Sequence, residues 1–350
     1  MRILRFLTGG GVALVACLIA LELFLRLSGT SIPSFVQDDA RFGRVLRPDT
    51  PLLFVNEGFY LGDVNHYGYL GPGRPPEKTA GTVRIALLGD SFVEGFQLLD
   101  RQHLRSRLER GLNETGDAPV EVLNFGFSGF NFPRMYHYWS ELVADYDPDL
   151  VLFFVGVDDF QQPSTDLGPR FRTEGDSLVV DLGFRDTRSF RRKTQFSATR
   201  HFGFYTLFKK AYQLVRQGRT AAIVLDKLHP AHGAPAAEID WAGESVNPAM
   251  DRVNERMLAA LGEANASGDV RIAFVVKRDL GDHYPELLSR NGLRLLDPEP
   301  ALDVLRAQGI DPHWWPATSR RGHWNADAHA AIAGFLEPEV RRLIEASEPN

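Results

Sequence analysis

A chain of 350 residues, 44% hydrophobic and 24% charged, carries enough apolar side chain for one large or two ordinary globular cores. Its net charge of -6 leaves no basic footprint for nucleic acid. The single cysteine, Cys17, excludes an intramolecular disulfide and thiol catalysis in the globular part.

The N-terminus places Arg2 and Arg5 before an uncharged run from Phe6 to Leu21, and apolar residues resume after Glu22 at Leu23-Phe24-Leu25. About 20 apolar residues span a bilayer core as a helix, and the flanking positive charge favours a cytoplasmic N-terminus. Residues 1–28 therefore read as a single-pass anchor in the cytoplasmic membrane, with the rest of the chain periplasmic. No small-x-small cleavage site follows the run, whereas Leu14-Val15-Ala16-Cys17 resembles a lipoprotein processing box. Lipidation and a soluble form stay open beside the uncleaved anchor.

Residues 29–80 are punctuated by Pro and Gly, show little periodicity, and read as a stem running over the surface of the domain that follows. From residue 81 the pattern is regular. Apolar strands are expected at 83–90, 120–125, 150–155, 270–276 and 293–296, separated by helical segments, with a closing helix over 326–346. Strand–helix alternation with strands apolar on both faces predicts an α/β domain over 81–346: a three-layer α/β/α sandwich on a mostly parallel, flavodoxin-like, five-stranded sheet. The alternation breaks over 160–245, which reads as an inserted subdomain. It holds a hairpin around Glu174-Gly175-Asp176 and a basic stretch, 185–219, with ten Lys or Arg against one acid, Asp186. Aromatics such as Phe202, Phe204 and Tyr205 interleave those charges, a mixture suited to a solvated face, a membrane surface or one wall of a cleft.

The chemistry is expected at the strand ends. Ser91 follows Gly89-Asp90 at a strand-to-helix turn, the place where open α/β sheets bind ligands, and helix N-terminal amides there face developing negative charge. Gly126 and Asp158 close the next two strands, and His323, just before the last helix, returns to the same edge as a base. His313, with Asp311 two residues before it, is the alternative base. Ser128 lies at a strand end but lacks a Gly-x-Ser-x-Gly elbow, and His329 falls on the final helix. No metal-ligand spacing or phosphate loop is present, so neither metal nor other cofactor is expected.

Gly89-Asp90-Ser91-Phe92, Asn124-Phe125-Gly126, Gly156-Val157-Asp158-Asp159 and His323, in that order, resemble the blocks of the SGNH (GDSL-type) hydrolase superfamily. The resemblance covers about residues 60–345 and implies the same sandwich, an ester substrate, Ser91 as nucleophile, His323 as base, and an oxyanion hole from Ser91, Gly126 and position 158. Two departures stand out. Asp158 replaces the family's asparagine, and a carboxylate lacks the N–H that an amide donates. Arg320 and Arg321 stand where the family carries the aspartate that orients the histidine, leaving Asp311 or Asp159 as the possible third member. Three readings follow: a serine esterase acting on acyl, for instance O-acetyl, esters of an envelope glycan or lipid; an O-acyltransferase using the same residues; and a catalytically impaired carbohydrate-binding or scaffold protein.

Overall fold

A computed structural model describes residues 2–27, 34–54, 57–116, 118–161, 168–195, 204–205 and 248–345. The sheet consists of β5 (Val83–Gly89), β6 (Val120–Gly126), β7 (Leu150–Val155), β10 (Arg271–Val276) and β11 (Arg294–Leu296). Its order is β11-β10-β7-β5-β6, all parallel. Numbered along the chain, that is the 2-1-3-4-5 order of flavodoxin-like sheets.

Period-two alternation along each strand divides the core in two. Ala86, Leu88, Phe125, Val151, Phe153 and Phe274 face one layer, with α4 (Phe132–Glu141), α6 (Pro248–Ser267) and α7 (His283–Arg290). Ile85, Leu87, Val122, Leu152, Phe154 and Val275 face the other, against α3 (Leu104–Thr115), α8 (Glu299–Ala307) and α9 (Ala326–Glu345). A strand buried on both faces has no polar side to display, which is why these segments read as unbroken apolar runs.

The stem is more than a surface tether. It folds into two antiparallel hairpins, β1 (Val36–Asp39) with β2 (Gly43–Leu46) and β3 (Thr50–Phe54) with β4 (Tyr60–Val64). Phe42, Leu46, Leu52, Val64, Tyr69 and Leu70 are buried with the first core layer. Leu70 bridges Val64 to Asn124 on the edge strand. These short strands bury their apolar residues against the sheet instead of in a core of their own.

The expected hairpin of the insertion is β8 (Arg170–Glu174) with β9 (Ser177–Asp181), followed by α5 (Arg188–Gln195). The rest of the basic stretch, 196–203 and 206–219, lies outside the described residues, as does the remainder of the insertion to residue 245. The expected membrane anchor falls on α1 (Arg2–Leu27). Among the described residues no helix is long and apolar enough to cross a membrane. Glu22, which interrupts the apolar run, is buried and accepts a hydrogen bond from the Phe204 amide at 3.1 Å.

Two buried imidazoles fasten the start of α3. His103 Nε2–H donates to the Val93 carbonyl at 2.9 Å, and its Nδ1 accepts from Arg105 N–H at 3.0 Å. His329 Nδ1 accepts from Leu104 N–H at 3.0 Å. Burial, then the neighbouring Arg105, pushes the His103 pKa down from 6.5 to about 4. A histidine lowered in this way favours the fold while neutral. Its contribution is complete above pH 6.5 and disappears as the pH falls toward 4. Urea unfolding at pH 7.5 and pH 4 is expected to differ by about 3 kcal/mol on this account, and the difference should shrink markedly in His103→Gln.

Candidate active site

Ser91 opens the single turn α2 (Ser91–Glu94). Asp90 caps it, with Oδ1 accepting from Phe92 N–H at 2.9 Å. The apolar β5 delivers the serine to the carboxyl edge of the sheet, and Phe92 and Val93 beneath it join the second core layer. The hydroxyl thus stands on a packed strand end.

His323 arrives from the loop before α9 and places Nε2 at 2.7 Å from Ser91 Oγ. The loop is pinned at several points. Trp315 Nε1–H donates to the His323 carbonyl at 3.0 Å, and Asn325 Nδ2 donates to the carbonyls of Asp311 and Trp314 at 2.8 and 3.0 Å. Asn325 Oδ1 in turn accepts from the Asp327 and Ala328 amides that open α9.

The imidazole's other nitrogen meets a residue that the sequence reading missed. His323 Nδ1–H donates to Glu57, 2.9 Å from Oε2 and 3.0 Å from Oε1, and the His323 backbone N–H donates to Oε2 at 3.0 Å. A proton on Nδ1 leaves Nε2 as the acceptor for the serine hydroxyl, the tautomer a general base requires. Burial disfavours the Glu57 carboxylate, but the His323 hydrogen bonds and nearby positive charge outweigh it and hold the carboxyl below its ordinary value. Gly322 makes the approach possible: a Cβ there would lie 2.5 Å from Glu57 Cδ.

The carboxylates expected as third member are engaged elsewhere. Asp311 accepts from the His313 amide at 2.9 Å and pairs with Arg321 Nε at 3.0 Å. The arginine that stands before His323 therefore faces Asp311, whose backbone carbonyl accepts from Asn325. Asp159 is buried, accepts from Gly156 N–H at 2.8 Å and pairs with Lys277 Nζ at 2.7 Å. The alternative base His313 gives its Nδ1–H to the Gly322 carbonyl at 3.0 Å and lies edge-on to Phe92, hydrogen-bonded to no serine among the described residues. Ser128 donates both its amide, at 3.0 Å, and its hydroxyl to the buried Glu94. Burial raises Glu94 to about 8 against the pull of Ser128, and Glu94 fixes the loop after β6 to the nucleophile's own helix.

The expected oxyanion groups differ in fate. The Gly126 amide donates to Asn124 Oδ1 at 3.0 Å, and a Cβ at Gly126 would lie 2.3 Å from the Glu94 nitrogen. Gly126 is thus a packing glycine under α2. Three residues on, Gly129 is exposed at φ +83°, and its amide, like that of Ser91, donates to no group among the described residues. Asp158 pairs with Arg278, its Oδ2 3.4 Å from Nη1.

Beneath the nucleophile Lys277 Nζ joins Asp90 at 2.6 Å to Asp159 at 2.7 Å, with its side chain fully buried. Burial opposes the ammonium, but the two carboxylates, with Asp158 behind them, keep its pKa above the ordinary lysine value. Lys277→Met would leave two adjacent acids without their cation and cost about 3–5 kcal/mol of stability at pH 8. In urea titrations that loss should narrow at pH 5, because the stranded carboxyls then take up protons. Among the described residues no cluster of His, Cys, Asp and Glu could hold a metal ion.

Serine, histidine and carboxylate in hydrogen-bonded sequence at the carboxyl edge of a parallel sheet have the geometry that defines serine acyl hydrolases. The chain belongs to the GDSL-like Lipase/Acylhydrolase family, whose sequence profile matches residues 87–331. No curated protein matches it. Among solved structures it is similar to LAE5, an alpha/beta hydrolase enzyme from the metagenome of Lake Arreo, Spain, with 14% identity and a TM-score of 0.39 over 76% of this chain and 97% of that one. It is similar also to the acetyl xylan esterase AlAXEase, with 13% identity and a TM-score of 0.39 over 74% and 100%. A third similar structure is a catalytic mutant of Axe2, an acetylxylan esterase from Geobacillus stearothermophilus, at 12%, 0.37, 75% and 94%.

Proposed function

We propose that this family member is a serine esterase that hydrolyses acyl esters, with O-acetyl groups on an envelope glycan as its substrate, through an acyl-enzyme on Ser91. The observation that carries the reading is the chain of hydrogen bonds from Glu57 through His323 to Ser91. His323 Nε2 takes the hydroxyl proton as Oγ attacks the ester carbonyl, and Glu57 stabilises the imidazolium that forms. The Ser91 amide, which donates to no group among the described residues, is left to serve the oxyanion. Collapse of the tetrahedral adduct expels the sugar alkoxide, which takes the proton from His323. Water then repeats the sequence on the acyl-serine, releasing the acid and restoring Oγ–H. With the imidazole oriented by Glu57, the impaired-scaffold reading loses its main motive.

The glycan part of the proposal is supported by a cavity of about 380 Å³ beside the Glu57 end of the relay. Phe59, Trp314 and Trp315 line it together with Gln97, Gln102 and Asp327, and Phe59 and Trp314 are exposed. Flat apolar faces next to amide and carboxylate groups suit the alternating C–H and hydroxyl surfaces of a sugar. Attachment at the cytoplasmic membrane through residues 1–28, with the domain on the outer side, is proposed from the uncharged run Phe6–Leu21 and Arg2 and Arg5.

The purified chain is to be assayed for acetate release from acetylated oligosaccharides, beside aryl acetates and long-chain glycerides. Cleavage of the acetylated oligosaccharides in preference to glycerides is expected. Cleavage of glycerides alone would overturn the substrate class, and no cleavage of any ester would overturn the activity.

A further inference from the structure

His313 does not reach the nucleophile, yet its ring is bonded into the loop that carries the base. Just before that loop, β12 (Trp314–Trp315) pairs antiparallel with β13 (Arg320–Arg321), and Trp314 lies opposite Arg321. The same register sets His313 opposite Gly322, and Gly322 N–H donates to the His313 carbonyl at 2.9 Å. A hydrogen-bonded antiparallel pair exchanges two backbone bonds. Here the His313 amide is taken by Asp311 Oδ1 at 2.9 Å, and the imidazole supplies the second bond instead, Nδ1–H to the Gly322 carbonyl at 3.0 Å.

That carbonyl belongs to the peptide unit that ends in His323 N–H. The unit is planar, and in the trans form its C=O and N–H point in opposite directions. His323 N–H donates to Glu57 Oε2 at 3.0 Å. His313 and Glu57 therefore grip the two ends of one rigid plate, the last before the His323 side chain leaves the backbone. A donor on the carbonyl also polarises the N–H at the far end toward the carboxylate. Beyond the plate, the Phe92 ring has both imidazoles as neighbours, with centroids 6.3 Å from His313 and 4.8 Å from His323.

We propose that His313 is a positioning residue for the base: its Nδ1–H holds the Gly322–His323 peptide from the side opposite Glu57 and so keeps His323 Nε2 aimed at the Ser91 hydroxyl. The inference rests on the esterase reading above. His313 moves no proton and touches no reacting atom. Its whole contribution is an angle, and a base displaced by about 1 Å can lose about 10²-fold in rate.

The test is steady-state kinetics on an aryl acetate with His313→Ala, His313→Asn and His313→Gln, with Ser91→Ala as control. His313→Ala is expected to lower kcat by about 10- to 10²-fold with KM little changed. His313→Asn, whose amide nitrogen hangs from Cγ as Nδ1 does, should recover most of that loss, and His313→Gln, with its nitrogen one bond further out, should not. In a His323→Ala background there is no imidazole left to aim, so the loss from His313→Ala should shrink to less than about twofold. The same fold-loss in both backgrounds would overturn the proposal, as would undiminished kcat in a folded His313→Ala or recovery by Gln as full as by Asn. Should His313→Ala fail to fold, His313→Gln takes its place in both backgrounds, and its kcat relative to His313→Asn decides in the same way. Turnover surviving in Ser91→Ala would instead sink the esterase reading itself, a separate result.

Discussion

Ser91→Ala is expected to lower kcat on any acyl ester the chain cleaves by about four to six orders of magnitude, while leaving substrate affinity nearly unchanged. The hydroxyl is the only group in the relay able to form the new C–O bond, and its proton is already aimed at His323 Nε2 across 2.7 Å. What survives comes from the oxyanion donors and from substrate placement, with water as the attacking group. The fold should be indifferent, since among the described residues the Ser91 hydroxyl bonds only to His323 and Asp90 holds the cap of α2 without it. Thermal unfolding of the variant within a few degrees of the parent, alongside the kinetic loss, separates a chemical effect from a structural one.

Glu57→Gln is expected to lower kcat by about 10²- to 10⁴-fold, because a neutral amide no longer stabilises the imidazolium and also accepts the tautomer with its proton on the wrong nitrogen. The substitution keeps the length and the acceptor oxygen for the His323 amide, so the loop should stay in place. A pH signature accompanies it. Glu57 is held below its ordinary value of 4.5 by His323, so it contributes to stability at higher pH and loses that contribution as the pH falls through the lowered value. In Glu57→Gln that part of the acid destabilisation should be missing, measured by urea unfolding between pH 6 and 3. Asp311→Asn, by contrast, should leave kcat within a few-fold of the parent, since its carboxylate faces Arg321 and the His313 amide.

The sheet was legible in the residues because each of its main strands is an apolar run too short for a helix, and burial on both faces demands that pattern. The Ser91–His323 pair was legible for a related reason: a polar residue at a strand end and a histidine ahead of the closing helix are placed by topology alone. Glu57 was not. It lies outside the segment that matches the family, in a stem whose strands of four and five residues are interrupted by Gly and Pro. Its partner is 266 residues away in the chain. A single acid carries no periodicity, and nothing local distinguishes Glu57 from Asp49 or Asp63. The faint signal was the small residue Gly322 before His323, which yields the space that the carboxylate occupies. Gly126 went the other way, since a glycine at a strand end serves equally as an amide donor or as room for a helix. The Gly126 N–H bond to Asn124 Oδ1, together with the lack of room for a Cβ beside the Glu94 nitrogen, tells the two apart.

Rapid quenching of the chain with an aryl acetate, followed by peptide mass spectrometry, addresses the acyl-enzyme directly. The account predicts one acetyl group on the peptide that carries Ser91, accumulating early and decaying with substrate, and its absence in Ser91→Ala. An acetyl group on Ser128 instead, or steady hydrolysis with no covalent intermediate on Ser91, would contradict it.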